Sequence, residues 1–309
     1  MKPLGATKPD QRALGLNLGR VGLFSHALGL MSSAAAREAI KEIEALGFPS
    51  MWFPESVGGK EVFSQSATLL AWTEKMIFAT GIANIAARDP MAMTNGARVL
   101  SDAYPNRFLL GIGASTDISL PLRGHSYGRP LTRMREYLDA MDEVPYKPPA
   151  PIAPSERILA ALGPKMLALA AERSIGALPG FVPVEHTSFA REVMGEGPLL
   201  AVMQPFVLSG DRDEAHEIAS EHLGFYLARK PYRQNLARLG WAEADMDGAG
   251  SPAIFEAIVA WGDVGALEER VQDHLARGAD HVCIEALGRD RSDPQFEQVR
   301  AVAPSLLGG

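Results

Sequence analysis

The chain has 309 residues, of which 47% are apolar and 22% charged; this ordinary balance for one large core excludes a disordered or fibrous protein. It carries 37 acidic against 30 basic side chains, which excludes a generic nucleic-acid binder because phosphate recognition needs a basic face. Cys283 is the only cysteine, so an intrachain disulfide and a cysteine metal centre are excluded, and a reducing cytoplasm is the expected compartment. The first eleven residues lack the apolar stretch of a signal peptide, and the sixteen uncharged residues between Arg20 and Arg37 fall short of a membrane span. A soluble cytoplasmic protein without a membrane partner is expected.

Short apolar runs alternate with helical patterns along the chain. Val21–Phe24 reads as the first strand, followed by a helix that Ser33 caps, with Ala36, Ala39, Ile40, Ile43 and Leu46 on one face and Gly47 as its stop. Met51–Phe53 is the second strand, and Ser64 opens a helix through Ala67, Leu70 and Ala71. Met76–Ala83 is the third. Asp89-Pro90, a cap followed by proline at the first helical position, starts a helix that stops at Pro105. Phe108–Ile112 is the fourth strand, Pro130 starts a helix through Met141, and the proline-rich stretch Val144–Pro154 reads as a linker loop. Arg157–Leu162, Ile175–Leu178, Leu199–Leu208 and Val282–Ile284 complete eight strands. Gly163-Pro164, Asp211 and Asp293-Pro294 mark further helix starts, and a helix through Leu267, Val271 and Leu275 precedes the last strand.

Eight strand–helix units predict a (β/α)8 TIM barrel, a fold of ~250 residues, in one domain spanning residues 1–309. A doubly wound sheet uses the same alternation without closure. The region around 221–262, before the last strand, is too long for a simple connection; a helical insertion is expected there, with a helix over Glu221–Leu239.

A barrel places its site at the C-terminal ends of the strands. His26, Glu55, Asn84, Arg88, the run Gly113–Thr116 and the turn Gly163-Pro164-Lys165 all follow strands. Gly111-x-Gly113 lacks the third glycine of a dinucleotide fingerprint; it reads either as a tight turn or as close backbone approach to a flat ligand. Gly163-Pro164-Lys165 is either an ordinary helix start or an anion turn, in which free N–H groups and the lysine charge receive a phosphate. Glu55 ends an apolar strand and either meets a partner or is solvated. His26 and His125 are the histidines in mouth loops, whereas His274 and His281 lack the spacing of a zinc helix, and no metal site is expected.

Taken together, the stretches Glu44–Phe48 into Met51–Glu55, Thr80–Asn84 with Arg88–Pro90, Pro105–Gly113, Tyr127–Pro130 with Met134–Tyr137, Ala160–Met166 and Gly278–Val282 resemble the luciferase-like monooxygenase superfamily, and within it the branch of oxidoreductases that use the deazaflavin coenzyme F420. The resemblance implies a barrel with an insertion, often a homodimer, that binds a flavin or deazaflavin at the mouth. It implies that Gly81-Ile82 lies against the central ring of the cofactor, where the family often has a non-prolyl cis peptide, with Asn84 and Arg88 following. It further implies that Gly113-Ala114-Ser115 lines the cofactor, that Gly163-Pro164-Lys165 holds its phosphate, and that Glu55 occupies a commonly acidic position near the ring. Thr116 and Ser56 stand where relatives carry histidine, which leaves His26 and His125 as candidate proton donors beside Glu55. The expected activity is hydride transfer between F420 and a small organic substrate. An FMN-dependent monooxygenase and a non-catalytic flavin-binding barrel are the alternatives.

Overall fold

The wall of the fold closes on itself because the last strand pairs in parallel with both the first and the seventh of the barrel. Residues 15–290 and 292–308 are described in the computed structural model, and the N-terminal reading of residues 1–11 lies outside them. The strands are β1 (Val21–Phe24), β2 (Ser50–Phe53), β3 (Ile77–Thr80), β4 (Ala83–Asn84), β5 (Phe108–Gly113), β6 (Arg157–Leu159), β7 (Gly176–Ala177), β8 (Leu199–Leu208), β9 (Ala260–Gly262) and β10 (His281–Ala286). The order β10-β1-β2-β3-β5-β6-β7-β8 returns to β10, with Val21 opposite Val282 on one side and Val202 opposite Val282 on the other. The closed barrel therefore holds and the open doubly wound sheet is excluded. β4 is a short extension paired to β5, and β9 pairs only with the protruding end of β8, Phe206–Leu208.

The helices are α1 (Ala27–Leu30), α2 (Ser33–Ala45), α3 (Val62–Trp72), α4 (Pro90–Ala103), α5 (Pro130–Asp142), α6 (Pro164–Arg173), α7 (Val184–Met194), α8 (Arg212–Leu227), α9 (Lys230–Arg238), α10 (Pro252–Ile258), α11 (Val264–Ala276) and α12 (Phe296–Leu307). Several starts differ from the sequence reading, for local chemical reasons. Ser32, one residue before Ser33, accepts the Ala35 amide and caps α2. α3 begins before Ser64 because the Glu61 carboxylate accepts the Phe63 and Ser64 amides. The expected helix over Glu221–Leu239 is two helices: α8 ends at Leu227, and Lys230-Pro231 restarts the chain as α9, since proline suits a first turn but not an interior.

The third strand is also interrupted: Met76–Ala83 becomes β3 and the start of β4, separated by Gly81-Ile82, whose peptide bond is cis. This broken strand explains the glycine pair of β5. A Cβ on Gly111 would lie 1.8 Å from the Thr80 carbonyl oxygen, and one on Gly113 would lie 2.4 Å from Ile82 Cγ1. The close backbone approach at Gly111 is thus made by the chain's own third strand.

The apolar interior of the barrel includes Phe24, Trp52, Ile77, Leu109, Ile158, Met203 and Cys283, while a larger layer between sheet and helices contains Ile40, Phe78, Leu138 and Val271. A third cluster, with Leu223, Tyr226, Leu236 and Phe255, joins α8, α9 and α10. Three buried histidines tie these layers together as neutral rings. Nδ1–H of His281 donates to the Gly19 carbonyl at 2.8 Å while its Nε2 accepts the Trp52 indole N–H at 3.0 Å. His274 bridges Thr187 and Gln204, and His186 donates to the Leu162 carbonyl. Burial pushes His281 and His186 down to about 4 and His274 to about 3.

Two predictions follow from this interior. Each depressed imidazole binds its proton more readily in the unfolded chain, near pH ~6.5, so its stabilisation is present above that pH and drains as pH falls toward about 4. The denaturant midpoint should fall steadily from pH 7 to pH 5; a flat profile would contradict the neutral assignments. Gly111→Ala should cost about 3 kcal/mol in denaturant unfolding because the backbone must move off Thr80. Gly29→Ala, with open space at its Cβ, should change stability by about 1 kcal/mol at most.

Candidate functional site

A cavity of about 610 Å³ opens at the C-terminal ends of the strands. It is lined by Gly81, Ile82, Asn84 and Gly113–Thr116, by Gly163, Met166, Leu178 and Met203, and by the aromatic rings of Phe225, Tyr226 and Tyr232. Most of these surfaces are apolar and broad, the kind of lining that accepts a flat ring system. The cavity therefore gathers most of the residues expected at the mouth: His26, Glu55, Gly81, Ile82, Asn84, Gly113, Ala114, Ser115 and Gly163. Arg88, Pro164, Lys165 and His125 do not line it.

Arg88 lies directly behind the lining, and its role is mechanical. The Glu55 carboxylate accepts the Asn84 amide at 2.8 Å and Arg88 Nη1 at 3.0 Å on one oxygen, and Arg88 Nη2 on the other. Both side chains are almost fully buried. The same guanidinium reaches Glu61, the cap of α3, at 2.9 Å, and the Arg88 carbonyl accepts the Tyr137 hydroxyl of α5 at 2.8 Å. Burial pushes the Tyr137 hydroxyl well up, and it stays protonated as a donor. Glu61 is raised by its own burial, but the Ser64 and Phe63 amides and the Arg88 charge outweigh this and hold it below the usual carboxylate range. The Glu55 amide donates to the Ile82 carbonyl at 3.1 Å, and the Gly81 amide to the Phe53 carbonyl at 2.8 Å. Glu55 thus borders the cavity while its carboxylate is held by the Asn84 amide and the Arg88 guanidinium. It is a positioning residue that locks the Gly81–Asn84 segment from behind.

On the opposite side, the turn into α6 carries no side-chain cap. Pro164 and Lys165 are exposed and outside the cavity. The cation that faces Gly163 is Arg238, from α9: a Cβ on Gly163 would come 3.3 Å from its Nη2. Arg238 lines the cavity, as does Arg229, whose guanidinium covers the Phe225 ring at 3.4 Å. Sequence reasoning chose Lys165 because it is adjacent in the chain; Arg238 comes close only through the fold. α9 is further tied to the loop after β5, where the Asp117 carboxylate accepts the Lys230 amide at 3.2 Å.

His26 and His125 separate clearly. His125 is exposed, held only by its backbone on Leu120. His26 follows β1, lines the cavity, and presents Nδ1 to the Glu285 carboxylate at 2.6 Å. Glu285 lies in β10, inside an otherwise apolar strand, and His222 of α8 stands 3.9 Å from its second oxygen. Neither Glu285 nor His222 was a sequence candidate, although a carboxylate inside the run Val282–Ala286 was a visible signal. The loop segments 148–154 and 181–186 do not reach the cavity; Phe181 is buried beneath Tyr226, their rings stacked 4.7 Å apart. Among the described residues no group of three or more His, Cys, Asp or Glu could hold a metal ion, and no helix is long and apolar enough to cross a membrane.

The locking role predicts a measurable coupling. Glu55→Ala should destabilise the fold by about 3 kcal/mol by leaving the buried Arg88 guanidinium with only the more exposed Glu61 carboxylate as its ion partner. A double-mutant cycle with Arg88→Ala should show about 2 kcal/mol of coupling in denaturant unfolding. Additive losses would mean that the pair is not the lock.

Comparison with known proteins agrees with this geometry. A protein-family model described as luciferase-like monooxygenase matches residues 16–281. A 5,10-methylenetetrahydromethanopterin reductase of Archaeoglobus fulgidus is 25% identical over 267 residues, covering 76% of this chain and 78% of that one. Among solved structures, an F420-dependent secondary alcohol dehydrogenase in complex with an F420–acetone adduct superposes with a TM-score of 0.70 at 17% identity, covering 92% of this chain and 98% of the other. The FMN complex of the oxygenating constituent of 3,6-diketocamphane monooxygenase from Pseudomonas putida superposes with a TM-score of 0.66 at 18% identity, covering 94% and 98%. The two structural likenesses establish the fold.

Proposed function

The chain belongs to the luciferase-like monooxygenase family of oxidoreductases, and on that premise we propose that it transfers a hydride between the deazaflavin F420 and a small organic substrate. The observation that carries the reading is the mouth cavity itself, bounded on one side by the locked Gly81–Ile82 segment and on the other by Gly163 facing Arg238. A flat ring with a phosphate-bearing tail needs those two features at opposite ends. The fit holds at each end. Gly81 leaves no room for a side chain, since a Cβ there would lie 2.5 Å from the Phe24 ring, and the segment is fixed by Glu55. Around Gly163, the uncapped start of α6 offers partial positive charge, and Arg238 adds a formal one.

The deazaflavin, when bound, supplies the two-electron hydride chemistry, and this chain supplies its seat. Gly81, Ile82, Gly113 and Ala114 would bear the ring, Ser115 would border it, and Gly163 with Arg238 would receive the phosphate. The rings of Phe225, Tyr226 and Tyr232, which also line the cavity, would shield a bound ring from water. A cytoplasmic homodimer is the assembly that the resemblance implies. FMN is the second reading, favoured by the flavin-binding structural neighbour.

Titration of the pure protein with oxidised F420 and with FMN, followed by quenching of its four tryptophans, tests the choice. Tight F420 binding with weak FMN binding is expected; the reverse order would overturn F420 in favour of a flavin monooxygenase. Arg238→Ala should weaken cofactor binding about tenfold, or ~1.4 kcal/mol, whereas Lys165→Ala should change it less than about twofold. The opposite ranking would place the phosphate at the outer face of the α6 turn.

A further inference from the structure

We propose that His26 and Glu285 form the proton-transfer pair of this site, with His26 Nε2 as the atom that exchanges a proton with a substrate oxygen and Glu285 as the residue that positions it. The inference rests on the reading of the cavity as a hydride-transfer site. His26 is the histidine that lines the mouth cavity. Its Nδ1 is 2.6 Å from Glu285 Oε1, so a neutral ring donates Nδ1–H to the carboxylate and leaves Nε2, on the far side of the ring, as the lone-pair atom for the cavity. The ring also has a fixed address relative to the cofactor seat. Phe24 lies between the two, 5.2 Å from the His26 ring by centroids and in the space where a Gly81 Cβ would go.

The pair is sequestered as well as aimed. The His26 side chain is 13% exposed and that of Glu285 is 6% exposed. A proton arriving at Nε2 therefore creates a short imidazolium–carboxylate pair rather than an isolated buried cation, which is what lets an imidazole accept a proton there. His222 Nδ1, 3.9 Å from Glu285 Oε2, flanks the carboxylate on its other side. A small second cavity adjoins the pair, and through it Glu221 of α8 and Asp290 and Asp293 after β10 are the other titratable groups facing this corner. Lys60, nearby, keeps its ammonium on the Leu28 carbonyl of α1 at 3.1 Å.

The step balances with the proposed chemistry. A bound oxidised deazaflavin would take up the hydride, and with it two electrons, from a hydroxyl-bearing substrate carbon whose C–H bond breaks; the O–H bond would break with its proton passing to Nε2, and the C=O bond would form. Substrate is oxidised and cofactor reduced. In the reverse direction Nε2 returns the proton to the forming alkoxide. This arrangement answers the replacement of histidine by Ser56 and Thr116, because the proton is handled from the end of β1 instead.

The test reads the histidine directly. In ¹⁵N-histidine-labelled full-length protein, with the signals of His26 assigned by their loss in His26→Asn, neutral His26 should be the Nδ1–H tautomer. In Glu285→Ala, which removes the acceptor, the tautomer should no longer be fixed and Nε2–H should appear beside Nδ1–H. Turnover of an alcohol or carbonyl compound that the wild type processes should fall about a hundredfold in His26→Asn, with cofactor affinity within twofold of wild type. An Nε2–H tautomer in the wild type, or a tautomer unchanged in Glu285→Ala, would overturn the pair whatever cofactor binds. If Glu285→Ala does not fold, the wild-type tautomer still decides. Unchanged turnover in His26→Asn would overturn the proton role. Failure of the wild type to bind F420, with the tautomers as expected, would instead remove the hydride-transfer reading on which the role depends.

Discussion

The Glu55 carboxylate is the fixed point around which the mouth of this barrel is built. It ends β2, yet its oxygens are spent on the Asn84 amide and the Arg88 guanidinium, so it binds the end of one strand to the segment that follows the next. Arg88 extends the connection to Glu61 at the start of α3, and its carbonyl extends it to Tyr137 on α5. Four elements thus converge on one ion pair. A buried pair of this kind contributes little net stability compared with an apolar replacement, but removal of one partner is costly, so it acts as a device for position. What it positions is the Gly81–Asn84 segment, which lines the cavity.

The charges of the mouth are arranged with a polarity that the composition conceals. The chain is acidic overall, yet the carboxylates of Glu55, which lines the cavity, and of Glu285, which lies behind His26 in β10, are both engaged, Glu55 by the Arg88 guanidinium and Glu285 by His26 Nδ1. The far rim, formed by α9 and the start of α6, presents Arg238 and Arg229. On the proposed reading, a phosphate-bearing ligand would meet engaged carboxylates at its ring and Arg238 at its phosphate.

The barrel was legible in the sequence because its signals are local. Apolar runs at β1, β2, β5 and β8, the Asp89-Pro90 helix start and the Gly163-Pro164 turn all depend on residues a few positions apart. The strand-end residues His26, Glu55 and Gly113, which line the cavity, were legible for the same reason. What escaped depends on distance along the chain. Arg238 comes close to Gly163 only through the fold, and Glu285 meets His26 only when β10 is laid beside β1. Glu55 could be read only as solvated or partnered, because the partner, Arg88, lies 33 residues along the chain in the segment after β4. The Gly111-x-Gly113 pair likewise looked like room for a ligand, whereas at Gly111 the room is occupied by Thr80.

Hydrogen–deuterium exchange with and without oxidised F420 measures the central claim, that the locked segment and the α9 rim are the two ends of one cofactor seat. Slowed exchange should appear together in residues 81–84, 113–116, 163–167 and 229–238, with the outer helices α11 and α12 unchanged. Protection confined to one end, or found only outside these four stretches, would contradict the account.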